Sequence, residues 1–163
     1  MGTKDTFLDA YDRYADAIYR HCFFRVFSKA KAEELVQETF MRAWDYLARG
    51  ERVDNMKAFL YRVATNLIVD EARKRKEVSL DALREGIDFR EPSTDGAADI
   101  ERTVFVRQVR AKMGELDPED RAILVMRYVD DLDPREIAEI LETNANNVSV
   151  KLNRAAKKVR EML

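Results

Sequence analysis

The sequence predicts an all-α protein of two small helical domains joined by a linker, the second domain ending in a helix-turn-helix. Three observations lead there. Only five of 163 residues are Gly and three are Pro, too few for the turns of a β fold, while the abundant Glu, Lys, Arg, Leu and Ala favour helices. Apolar residues recur at three- and four-residue steps along most of the chain. Between residues 77 and 103 that period lapses in an acidic stretch containing the turn-rich cluster Pro92-Ser93-Thr94-Asp95-Gly96. The chain therefore divides into a first domain at 1–76, an acidic linker at 77–103 and a second domain at 104–163, the linker holding at most a short helical turn around Leu80–Leu83.

Each helix has its own signature. Residues 5–27 carry the stripe Phe7, Tyr11, Tyr14, Ile18 and Cys22. Ser28 is placed to cap a second helix over about 29–48, with Val36, Phe40, Ala43 and Leu47 inward and Leu35 and Trp44 widening the stripe. After the polar loop 49–54, Asn55 can cap a third helix whose stripe is Phe59, Leu60, Val63 and Leu67, ending in Arg73-Lys74-Arg75-Lys76. A basic run suits the negative end of a helix dipole. The period returns at Val104–Glu115. Asp117-Pro118 is a cap followed by Pro at the first helical position, and Asp133-Pro134 repeats the device with Glu136 placed for a capping box. The short helix 134–141, the turn Glu142-Thr143-Asn144 and a final helix make the helix-turn-helix.

Composition excludes much. Cys22 and His21 are the sole cysteine and histidine, so neither an internal disulfide nor a Cys/His zinc set can form. They are adjacent on a helix and point apart, and are read as residues of a half-buried helix, not as a catalytic pair. No metal or other cofactor and no enzymatic activity are expected, since phosphate-binding Gly loops are also missing. There is no apolar run near membrane-spanning length and no signal peptide, so a cytoplasmic protein without membrane insertion is expected.

The net charge is -2, but its distribution is uneven. Residues 1–76 sum to +3, 77–103 to -5 and 104–163 to 0, with +4 concentrated in 143–163. Such clusters are the footprint of polyanion binding even when the total is near zero. In the final helix Val148, Leu152, Ala155 and Val159 face inward; Asn146, Val150, Asn153, Arg154 and Lys157 face outward, with Lys151 and Lys158 flanking them. Asn can pair with adenine edges, Arg with guanine or phosphate, Val with a thymine methyl and Lys with phosphates. A solvated charged face is the plain alternative; the capped short helix, terse turn and local charge favour DNA. In the third helix Arg62, Asn66 and Arg73 share one side, bordered by Tyr61, Thr65 and Asp70, a face able to neutralise phosphates and hold exposed bases.

These runs resemble a known family. AEELVQETFMRAWDYL (Ala32–Leu47) resembles the polymerase-binding helix of bacterial sigma factors, FLYRVATNLIVDEARKRK (Phe59–Lys76) their promoter-melting segment, and LDPEDRAILVMRYVDDLDPREIAEIL (Leu116–Leu141) the start of their C-terminal DNA-binding domain. The spacing is similar to the extracytoplasmic-function group, which keeps only the second and fourth conserved regions. The resemblance implies core RNA polymerase, promoter DNA and an anti-sigma protein as partners. It assigns polymerase docking to Glu34, Gln37, Glu38 and Arg42, −10 recognition and melting to Arg62, Asn66, Arg73 and Lys74, and −35 recognition to Asn146, Asn147, Lys151, Arg154 and Lys157. The chain departs from the family at Glu142, usually Gly, at Asn146-Asn147, usually Gly-Thr, at Ala156, commonly basic, and at Thr65, usually Arg. Two other readings remain: a sigma-like mimic that binds an anti-sigma protein without reading DNA, and a stand-alone helix-turn-helix regulator. Affinity for a −35 duplex separates the first from a sigma factor, and dependence of polymerase binding on Gln37 and Glu38 separates the second.

Overall fold

The structure, a computed structural model, describes residues 2–85 and 100–162. Among them every regular element is helical: α1 (Thr3–Val26), α2 (Lys29–Ala48), α3 (Met56–Glu85), α4 (Ile100–Gly114), α5 (Pro118–Leu124), α6 (Pro134–Leu141) and α7 (Ala145–Met162), with a π-helical turn at Val125–Val129 after α5. The all-α architecture expected from composition and periodicity is what the chain adopts.

Local chemistry sets most boundaries. The Ser28 hydroxyl accepts from the Lys31 amide at 3.2 Å, and the Asn55 side chain accepts from the Ala58 amide at 3.1 Å, so both helices start on a capped turn. Asp133 and Glu136 form the full capping box. Asp117 differs from expectation: its side chain makes no cap hydrogen bond and lies 3.4 Å from Lys158 Nζ instead. α3 continues to Glu85, past the basic run where a linker was expected; Leu80, Ala82, Leu83 and Arg84 are all good helix formers. α4 starts four residues earlier than Val104. The turn cluster 92–96 lies outside the described residues.

Helices α1, α2 and α3 pack mutually as one bundle; α5 and α6 both pack on α7 and on the π-helical turn to form another. Ile18, Cys22, Ala32, Phe40, Ala43, Leu60, Ala64 and Ile68 are buried in the first; Ile123, Met126, Leu132, Ile137, Val148 and Ala155 in the second. Two assignments from periodicity need correction. Tyr11 and Trp44 are 46% and 40% exposed, at the rim of the α1–α2 seam and not in the stripe's interior. His21 and Cys22 are fully buried, because α3 and the π-helical turn of the second bundle cover that end of α1.

The bundles meet along two seams, α1 with the π-helical turn and α3 with α6. In the first, His21 Nδ1 lies 2.6 Å from Asp130 Oδ2, both side chains fully buried. A carboxylate has no proton to give, so Nδ1 donates. In the second, Lys57 meets Glu136 at 2.7 Å, Asn55 Nδ2 donates to Glu139 at 3.0 Å, and Arg62 donates to the Glu139 carbonyl at 2.9 Å and lies 3.4 Å from Glu142.

Candidate nucleic-acid interface

The helix-turn-helix is set by its turn. Glu142 closes α6 in the left-handed conformation, φ 56°, ψ 47°, and its amide donates back to Ala138. Asn144 then caps α7, accepting from the Asn147 amide at 2.8 Å, while Asn147 Nδ2 donates to the Thr143 hydroxyl at 3.1 Å. This fixes the α6–α7 angle and commits the Asn147 amide group to the turn. Val148 and Ala155 are buried, which turns Asn146, Val150, Asn153, Arg154 and Lys157 outward, all exposed. Among the described residues no ion pair engages Arg154 or Lys157. Lys151 and Lys158 are committed differently. Lys151 pairs with Glu119 at 2.5 Å, and Lys158 with Asp120 at 2.6 Å and Asp117 at 3.4 Å. Hydrogen bonding to Asp120 pushes the Lys158 ammonium up from its usual value, holding it charged. The acidic start of α5 thus masks two of the cations that sequence alone offered to phosphates.

On α3 the four candidate residues are not presented together. Asn66, Arg73 and Lys74 are exposed, and Arg73 lies 3.9 Å from Asp70. Arg62 is held under α6 by the Glu139 carbonyl and Glu142. Two neighbours assigned to the polar face belong to the interior: Tyr61 is buried edge-on against His21, ring centroids 5.3 Å apart, and Thr65 is buried with its hydroxyl unpartnered. The single-residue offset arises because α3 buries two sides, one against α1 and α2 and one facing the second bundle. The loop 49–54 is largely exposed, with Arg52 and Asp54 both above 90%.

On α2, Glu34, Gln37, Glu38 and Arg42 lie along one exposed face. Glu34 is tied to Lys31 at 3.2 Å and Glu38 to Arg42 at 3.2 Å. Beside Gln37 is a shallow cleft of about 420 Å³ lined by Phe7, Tyr11, Phe40, Met41, Trp44 and Asp45. Met41 is 61% exposed. Sequence periodicity missed this cleft; Met41 stands one residue beyond the inner stripe and Trp44 was assigned to it. Among the described residues no group of His, Cys, Asp or Glu could hold a metal ion, and no helix is long and apolar enough to cross a membrane.

Two helical bundles, the second presenting a basic helix on a capped turn, define a helix-turn-helix protein. Residues 10–78 match the model of sigma-70 region 2 and residues 106–159 that of sigma-70 region 4. The chain is 30% identical to the ECF RNA polymerase sigma factor SigW of Bacillus subtilis, over 99% of this chain and 91% of that protein. Its fold is similar to that of CnrH in complex with the cytosolic domain of CnrY, with TM-score 0.74, 19% identity and coverage of 98% and 88% of the two chains. It is also similar to the sigma factor RpoE of Bartonella quintana in complex with the anti-sigma factor NepR, with TM-score 0.71, 21% identity and coverage of 96% and 95%. The chain belongs to the sigma-70 family of RNA polymerase sigma factors, in its ECF group.

Proposed function

We propose that this chain binds core RNA polymerase in the cytoplasm and directs promoter-specific initiation, performing no covalent chemistry itself. In this reading α7 reads the −35 element with Asn146, Arg154 and Lys157, and Lys151 and Asn147 act at its edge. The α3 surface of Arg62, Asn66, Arg73 and Lys74, with loop 49–54, takes the −10 element. Strand opening is driven by trapping unpaired bases, which offsets a few kcal/mol per unstacked step. The observation that carries the reading is the outward side of α7, where two cations with no ion pair among the described residues and two exposed Asn side chains stand on a helix whose opposite side is buried. That is the arrangement major-groove recognition requires.

The seam between the bundles adds a condition. Arg62 donates to α6, and α6 brings Glu136, Glu139 and Glu142 to the basic start of α3. DNA and α6 therefore compete for Arg62, and engagement of the −10 element requires the bundles to part. Polymerase supplies that drive in this account by binding the open form more tightly than the closed one. The α2 face of Gln37 and Glu38, with Met41 and Trp44 as apolar anchors, is the proposed docking surface for a helical coiled coil of the polymerase. The neighbouring folds were solved with CnrY and with NepR; by the same likeness an anti-sigma protein is a proposed partner here.

Binding to purified core polymerase, titrated by fluorescence, tests the docking. Gln37→Ala with Glu38→Ala is expected to weaken it at least tenfold, about 1.4 kcal/mol, with unchanged affinity for isolated promoter duplex. Undiminished polymerase binding by that variant would contradict the assignment. No binding by the wild type would favour a stand-alone regulator.

A further inference from the structure

The cleft between the bundles on the far side of α3 from Arg62 has a composition that promoter binding does not use. Its volume is about 460 Å³. One wall is Arg25, Val26 and Phe27 at the end of α1 with Ile68, Glu71 and Arg75 of α3; the other is Arg110 and Gly114 of α4 with Pro118 and Arg121 of α5. Among the described residues of the lining, guanidiniums outnumber carboxylates four to one, in a chain whose total charge is -2.

Arg25 is the anomaly. It is 9% exposed, no carboxylate among the described residues pairs with it, and its Nη1 is buried without a hydrogen-bond partner. Burial, and then repulsion from Arg121, pull its guanidinium down to about 10, while Cys22 and Asp130 partly offset this. A buried charge is ordinarily paired. Arg121 cannot help, since it is itself a cation and donates to the Met113 and Leu116 carbonyls. Arg75 is at the rim, 3.6 Å from Glu71, and Glu71 is shared with Lys31 at 3.0 Å. Arg110 lies over the Phe27 ring at 5.9 Å.

We propose that this interdomain cleft is a binding site for a small oligophosphate anion, with Arg25 as its buried anchor and Arg75, Arg110 and Arg121 as the surrounding cations. Guanidinium forks match phosphate oxygens. Arg25 and Arg121, which meet no carboxylate among the described residues, call for an anion with more than one charge, and the volume exceeds what one phosphate fills. Phe27, Val26 and Ile68 supply an apolar wall beside the charges, so a nucleoside diphosphate fits the same chemistry. Because each bundle supplies one wall, the bound anion holds the two together. The assignment stands without the promoter reading, and its test uses neither polymerase nor transcription.

The test is thermal unfolding of the full chain with inorganic pyrophosphate, at constant ionic strength, with GDP as a second ligand and sodium chloride as the control. Wild type is expected to gain about 2–4 °C at saturating pyrophosphate. Arg25→Met is expected to melt higher than wild type without ligand, having lost an unpaired buried charge, and to gain nothing from pyrophosphate. Should that variant misfold, Arg75→Gln, a half-exposed site, is expected to weaken the pyrophosphate response about tenfold while leaving the unliganded melting temperature in place. An equal response in Arg25→Met or Arg75→Gln, or one that sodium chloride reproduces, overturns the proposal. So does a duplex affinity, measured without pyrophosphate, that falls in Arg25→Met, since the cleft would then take phosphates of the DNA backbone.

Discussion

His21 and Asp130 come from different bundles, 109 residues apart, and meet at 2.6 Å with no exposure to solvent. Removing one partner of such a pair leaves the other buried and unsatisfied. Asp130→Ala is therefore expected to cost about 3 kcal/mol of unfolding free energy, read from chemical denaturation; a cost below half of that would mean water reaches the seam. Cys22, next to His21, is fully buried, and burial, aided by Asp130, pushes its thiol up to about 12 against a weaker opposing pull from Arg25. A thiol so held has almost no thiolate at neutral pH. Ellman's reagent is expected to label the native chain orders of magnitude more slowly than the urea-unfolded chain. Glu142 carries a third local consequence. At φ 56° a side chain is strained where Gly is not, and Glu142→Gly is expected to stabilise the chain by about 0.5–1 kcal/mol. The strain was foreseeable from the turn's place in the motif. The His21–Asp130 contact was not, because nothing local to either residue names a partner so distant in sequence.

At the scale of elements, α2, α3 and α6 were legible because each carries its own punctuation. Ser28, Asn55 and the Asp133–Glu136 box all act as caps. The inner face of α7 was equally plain, since Val148 and Ala155 are buried where the period puts them. Which cations are available was not plain, because that depends on what α5 sets opposite them. Glu119 and Asp120 sit against Lys151 and Lys158. On this basis Arg154→Ala and Lys157→Ala are each expected to lower affinity for a −35 duplex and to reduce the slope of log affinity against log salt by about 1, as Lys→Ala does for a phosphate contact. Lys151→Ala is expected to do less. Glu119→Ala, which releases Lys151, is expected to strengthen binding. Fluorescence anisotropy between 50 and about 200 mM salt would show this order, a range over which phosphate contacts respond strongly; a stronger effect at Lys151 than at Arg154 would contradict the masking by α5.

At the scale of the molecule, the acidic helix α6 lies on the basic start of α3, so one bundle holds a residue of the other. Charge counts by segment did not reveal this contact. The described contacts come from Glu136, Glu139 and Glu142, in a domain whose charges sum to zero. A net sum conceals such a face because the basic end of α7 cancels it. Glu136→Ala with Glu139→Ala is expected to open the free chain, seen as a larger radius of gyration in solution scattering, and to raise its affinity for a −10 single strand. No change in either would mean the seam rests on His21 and Asp130 alone.

In vitro transcription with purified core polymerase on a pooled promoter library is the most direct measurement. The account predicts transcripts that start at a fixed distance from paired upstream elements. Their −35 dependence should weaken in Arg154→Ala, and they should vanish in Gln37→Ala with Glu38→Ala. Transcripts no more selective than those of core polymerase alone, given a folded chain, would contradict it.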